Sequence, residues 1–154
     1  MRVPFNYLNF EFKNNKKIIF EWKKLIKSSD FTLGKYVNKV EKKFSKYFNC
    51  KYVIAVNSGT DALILALKSL GVKPGDEVIT AANTFYATAG AIVSCGAKPV
   101  LVDANDNYQI DEKLIQRHIT KKTKVIIPVY WGGAIPNIKL IMKIAKKNKL
   151  KVVE

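Results

Sequence analysis

Five short apolar runs punctuate the chain after residue 50, at Tyr52–Val56, Glu77–Thr80, Pro99–Val102, Val125–Val129 and Leu150–Val153, and they begin 22 to 26 residues apart. That interval suits a strand, a crossover helix and two loops, the unit that joins parallel strands. Runs this uniformly apolar belong to strands covered on both faces. The expected fold class is therefore α/β, a three-layer α/β/α arrangement with a mostly parallel sheet. The intervening stretches carry helix punctuation. Thr60 to Leu70 ends at Gly71, which is free to adopt positive φ, while Asp111 and Asn137 stand where N-caps are needed. Two amphipathic stretches precede the cadence. Lys16 to Lys27 carries Ile18, Ile19, Trp22, Leu25 and Ile26, and Lys35 to Phe48 carries Val37, Val40, Phe44, Tyr47 and Phe48. Both read as helices, so the expected organisation is an N-terminal helical segment, 1–50, followed by an α/β domain, 51–154.

Composition removes several function classes. With 48% hydrophobic and 25% charged residues, the chain has the balance of a globular domain. No apolar run approaches the ~20 residues of a bilayer span, and residues 1–5 lack the apolar core of a signal peptide. Two cysteines, Cys50 and Cys95, make no disulfide framework, so a cytoplasmic location is expected. His118 is the only histidine, which argues against a His-rich metal site and a Ser-His-Asp triad. It is expected on a semi-buried helix face in a structural role. The formal charge is +15, but Arg2 and Arg117 are the only arginines among 27 basic residues. Nucleic-acid readers lean on arginine for bidentate contacts, so solvated lysine faces are the plainer reading, with polyanion binding the competing one.

Three segments follow expected strands and could carry chemistry. Asn57-Ser58-Gly59-Thr60-Asp61 opens a helix, where free N–H groups and the positive end of the dipole favour an anion. Gly59 would let the backbone approach a phosphate, with the Ser58 and Thr60 hydroxyls beside it. A plain Ser/Thr N-cap that binds nothing is the other reading, and Asp61 speaks for it. Asn83-Thr84-Phe85-Tyr86-Ala87-Thr88 sets two aromatics before a helix of small residues, suited to stacking on a ring or to packing the core. Tyr130-Trp131-Gly132-Gly133 suits a pocket wall or a tight turn. Asp103 and Glu77 read as structural carboxylates at strand ends.

Several blocks in order carry a family resemblance: Gly34 and Glu41, then Asn57 to Leu63, Gly71 to Ile79, Asn83 to Thr88, Gly96 to Val100 and Lys122 to Val129. Together they resemble the DegT/DnrJ/EryC1/StrS group, the pyridoxal-phosphate-dependent nucleotide-sugar aminotransferases of fold type I. The resemblance spans essentially the whole chain and only the N-terminal part of a family member. It implies an incomplete large domain binding pyridoxal 5'-phosphate over 51–154. Ser58, Gly59 and Thr60 would hold the cofactor phosphate and Phe85 would stack on its ring. Thr32 and Gly34, with the Phe5 to Leu8 stretch, would lie near the sugar-nucleotide pocket. The implied partners are a nucleotide-linked keto-sugar, an amino-acid donor such as glutamate, and a second copy in a homodimer, which would place the Trp22 and Phe48 helices partly at an interface. No membrane, metal or nucleic-acid partner is implied.

Two departures stand out. Tyr130-Trp131 occupies a place where the family usually has a histidine. The chain also stops at Lys151-Val152-Val153-Glu154, where the family continues into an aspartate that pairs with the pyridine nitrogen and, further on, a Schiff-base lysine. None of the 25 lysines stands in the matching position, so no catalytic residue is expected within 1–154, and the chain alone is expected to be inactive. The residue that separates amino transfer from a related sugar 3-dehydration is likewise not among them. In fold type I the strand at Tyr52–Val56 lies apart from the next four, so here it is expected to lack ladder partners and to leave the chain marginally stable.

Overall fold

A computed structural model describes residues 6–154, so the Phe5 end of the Phe5–Leu8 stretch lies outside the described residues. Two units are distinguished, one running to Ala55 and the other Val56–Glu154. The first is helical, with α1 (Leu8–Glu11), α2 (Lys16–Ser28) and α3 (Lys35–Tyr47). Sequence periodicity finds only the two longer helices, because the four residues of α1 are too few to show a stripe. Ser29, at φ 51, ends α2 in the left-handed region, its N–H donating to the Ile26 carbonyl. The carboxylate of Glu21 then ties the pair, accepting from the Tyr36 hydroxyl on α3 and from Lys24, each at 2.9 Å. No residue of α2 or α3 is buried, and Trp22 and Phe48 stand 64% and 62% exposed. Their apolar stripes face outward within this unit.

The second unit contains α4 (Gly59–Ser69), β1 (Glu77–Ala81), α5 (Tyr86–Ser94), β2 (Lys98–Val102), α6 (Glu112–His118), β3 (Thr123–Ile127), α7 (Ile138–Lys147) and β4 (Lys151–Val152). All strand pairs are parallel, in the order β2-β1-β3-β4. Alternation along the strands builds two cores. Val78, Val125 and Ile127 pack with Leu67 of α4 and Ile92 of α5 on one face. Ile79, Ala81 and Ile126 pack with Ile115 of α6 and Ile141 of α7 on the other. Three layers result, with α4 and α5 on one face and α6 and α7 on the other, as the apolar cadence requires. Gly71 takes φ +77 after α4, and the Asp111 and Asn137 side chains cap α6 and α7 by accepting from Lys113 and Leu140 N–H groups.

Two local expectations bear on the sheet and α6. The run Tyr52–Val56 joins no strand pair among the described residues, as expected for a segment without ladder partners, and so forms no strand; Tyr52 and Ile54 are 74% and 78% exposed. An apolar run becomes a strand only when a neighbour supplies its hydrogen bonds, and none of the four described strands does so. His118 is exposed rather than semi-buried. It is the last residue of α6, at the end of the helix, whereas Ile115 one turn earlier is buried in the core. Glu77 is structural as expected, its carboxylate accepting from the Thr120 hydroxyl at 2.5 Å.

Candidate functional site

In a parallel sheet all strands end on one edge, and ligands gather where the strand order reverses direction. Here β1 connects through α5 to β2 on one side, and β2 returns through α6 to β3 on the other. The crevice beyond the ends of β1 and β3 is therefore the topological switch point. The loop Ala82–Phe85 follows β1 there, and Pro128–Trp131 follows β3. The turn over residues 70–76 delivers the end of α4 to the start of β1, so α4 runs back along the sheet and presents its N-terminus toward this same edge.

At that N-terminus the Ser58 side chain caps α4, its Oγ accepting from the Asp61 N–H at 3.0 Å. The same hydroxyl donates to the Asp61 carboxylate at 2.9 Å, and the Ala62 N–H donates to the Ser58 carbonyl. Among the described residues no acceptor meets the Gly59 or Thr60 N–H. Ser58 and Gly59 are exposed, and a Cβ placed on Gly59 would meet nothing within 4 Å. The cup is thus open, with two backbone donors free at the positive end of an 11-residue helix. Ser58 commits its one hydrogen to Asp61, which leaves the Thr60 hydroxyl as the remaining side-chain donor.

Phe85 is the residue before α5 and is 61% exposed, its ring 4.3 Å from that of Tyr86. Neither aromatic fills the core. Below them the Thr84 and Thr88 hydroxyls meet at 2.8 Å, and Asn83 Nδ2 donates to the Tyr108 carbonyl at 2.9 Å. Across the crevice, the Tyr130 hydroxyl donates to the Glu154 carboxylate beyond β4. Loss of hydration around the partly covered ring, and then this carboxylate, push the Tyr130 phenol up to about 12. Glycines at φ 62 and φ 80, Gly132 and Gly133, turn the chain immediately afterwards. The segment is therefore both an aromatic wall and a tight turn.

Ser58, Gly59, Thr60 and Phe85 thus share one edge of one unit. Thr32 and Gly34 belong to the other unit, where Thr32 is exposed. Gly34 is required locally, since a Cβ there would press into the Asp30 carboxylate and come within 2.7 Å of the Asp30 carbonyl oxygen. Asp30 Oδ2 accepts the Lys35 N–H at 3.1 Å and so caps α3 from five residues upstream. Sequence reading passes over Gln109, a buried side chain whose amide donates to the Trp131 carbonyl at 3.0 Å. Its only sequence signal is the alternation Asn105-x-Asn107-x-Gln109, which also reads as a plain turn.

The model of the DegT/DnrJ/EryC1/StrS aminotransferase family matches residues 13–154. A pleiotropic regulatory protein of Geobacillus stearothermophilus is 42% identical over 156 residues, covering 100% of this chain and 42% of the relative. A dTDP-3-amino-3,6-dideoxy-alpha-D-galactopyranose transaminase of Aneurinibacillus thermoaerophilus is 38% identical over 154 residues, covering 99% and 42%. The crystal structure of NtdA from Bacillus subtilis with bound cofactor PMP superposes with a TM-score of 0.93 at 39% identity, covering 98% of this chain and 35% of that one. The chain spans less than half the length of the relatives it matches.

Proposed function

The chain belongs to the DegT/DnrJ/EryC1/StrS aminotransferase family, and from that premise we propose that it carries the cofactor-phosphate and ring-stacking part of a pyridoxal-phosphate-dependent sugar aminotransferase. The reaction would move an amino group from an amino acid, glutamate, to a nucleotide-linked keto-sugar. The observation that carries this reading is the open cup at the start of α4, where the Gly59 and Thr60 amides find no acceptor among the described residues. A dianionic phosphate supplies what those donors lack. When bound, the cofactor supplies an electron sink for the amino carbon. The chain's own part is to grip and orient. Gly59 and Thr60 would fix the phosphate, the exposed face of Phe85 would hold the ring flat, and Ser58 would keep the Asp61 charge bonded away from the anion.

Thr32 and Gly34 stay in this reading as residues of the sugar-nucleotide side, Gly34 by shaping the entry to α3. The outward apolar stripes of α2 and α3 support a homodimer. Because none of the 25 lysines stands in the Schiff-base position of the family resemblance, residues 1–154 by themselves are proposed to turn nothing over.

Pyridoxamine phosphate is the probe of choice, since it has no aldehyde to couple to surface lysines. Equilibrium dialysis should show it held saturably and pyridoxamine, which lacks the phosphate, not held. Equal retention of the two would refute the reading. Binding that collapses with salt and is matched by duplex DNA would point instead to the +15 charge acting without a site.

A further inference from the structure

The loop that links β2 to α6 is a small closed structure. Ala104 and Ile110 bridge antiparallel, the Asp111 N–H donates to the Asp103 carbonyl at 2.9 Å, and Tyr108 sits at φ 60, a left-handed value that only such a turn demands of a tyrosine. Two side-chain amide contacts join this loop to its neighbours, one leaving it and one entering it. Gln109, only 3% exposed, uses Nε2 to donate to the Trp131 carbonyl at 3.0 Å and to the Asn107 carbonyl at 3.3 Å. Asn83, in the loop after β1, donates to the Tyr108 carbonyl at 2.9 Å. The three loops that follow β1, β2 and β3 are thereby laced together at one edge.

Gln109 is used at one end only. Its Oε1 is buried and meets no donor, an arrangement that costs free energy and calls for a reason. The Trp131 carbonyl already accepts the Ala134 N–H at 3.1 Å, so the Gln109 contact is not needed to satisfy it. What the contact adds is a fixed position for Tyr130 and Trp131, which follow β3 across the crevice from Phe85 and whose backbone next turns through two positive-φ glycines. The turn's own bonds, from the Gly133 N–H to the Tyr130 carbonyl and from the Ala134 N–H to the Trp131 carbonyl, close it on itself, and Gln109 is the side chain that ties it to the loop after β2.

We propose that Gln109 is a positioning residue: through Trp131 it holds the post-β3 wall of the cofactor-ring site, with Asn83 holding the opposite loop to the same frame. The inference rests on the reading of the α4 cup as a cofactor-phosphate site, and it separates ring binding from phosphate binding. Gln109 touches neither.

The test uses the 154-residue chain with inorganic phosphate and pyridoxamine phosphate as probes. Gln109→Met keeps length and removes both donors. It should weaken pyridoxamine phosphate about tenfold while leaving inorganic phosphate within about twofold. Parallel loss of both, or no loss of either, overturns the proposal. Gln109→Glu gives a second readout in case the first variant does not fold. A carboxylate there faces two carbonyl oxygens, but its protonated form regains one donor, so ring binding should recover as pH falls and fail as it rises. Asp106 and Glu112 line the same cleft, and the unsubstituted chain run in parallel accounts for their titration. A pH profile identical to the unsubstituted chain would contradict the assignment. Should the chain bind neither probe, the cofactor reading fails, yet the positioning claim is still measured. In a Trp22→Phe background Trp131 is the one tryptophan, and Gln109→Met should raise its acrylamide quenching. Unchanged quenching would overturn the proposal.

Discussion

Individual side chains decide whether the entries to α3 and α4 are sound. Gly34 has no room for a methyl group against Asp30, so Gly34→Ala should cost about 1–3 kcal/mol, read as a lower urea midpoint and loss of α3 helicity. At α4 the cap and the proposed anion cup draw on the same residues. Ser58→Ala removes the bond to the Asp61 N–H and should cost about 1 kcal/mol. It also releases the Asp61 carboxylate beside the cup, so phosphate affinity should fall. Asp61→Asn should raise that affinity instead, and isothermal titration distinguishes the two. Tyr130 gives a pH-dependent signature. Its neutral phenol is favoured in the folded state, so its contribution to stability is complete below pH ~10 and is lost as pH rises through about 12. Absorbance at 295 nm should show a step at about 12 that Tyr130→Phe abolishes, while Tyr36, also raised because its hydroxyl is held by the Glu21 carboxylate, keeps its own late step in that variant.

Helices and strands show how far local pattern reaches. Glu77, Lys98, Thr123 and Lys151 begin strands within about two residues of where the apolar runs suggest, because buried parallel strands must be apolar on both faces. Asp111 and Asn137 cap helices as their side chains dictate. The start of α4 at Ser58–Gly59 is legible for the same reason, since the N-cap residue and its glycine neighbour follow an apolar run and open a helix. Tyr52–Val56 reads as a strand by composition alone, and its lack of ladder partners follows only from the family resemblance, because composition cannot supply the neighbour a strand needs. Gln109 carries no such local signal, because what sets it apart is a contact with Trp131, 22 positions away. These differences predict hydrogen exchange: amides of 52–54 and 56 should exchange on the timescale of exposed chain, with Ala55 slowed by its bond to the Glu41 carboxylate, while those of Val78 to Thr80, paired on both sides by β2 and β3, should be the most protected. Equal protection of the two runs would contradict the topology. Ile92→Ala, at a position with no exposure between α5 and the sheet, should cost about 2–5 kcal/mol.

The whole molecule combines a three-layer packing in one unit with unburied apolar stripes in the other and an excess of positive charge overall. A cation-rich surface attracts any phosphate weakly, so the account stands or falls on where the anion settles. An amide-resolved NMR titration of the chain with pyridoxamine phosphate answers that directly. Saturable shifts should be largest at the Gly59 and Thr60 amides, followed by Phe85, with lysine-bearing faces moving little and without saturation. Shifts spread over the lysine faces, with Gly59 and Thr60 still, would contradict the claim that the start of α4 is an anion site.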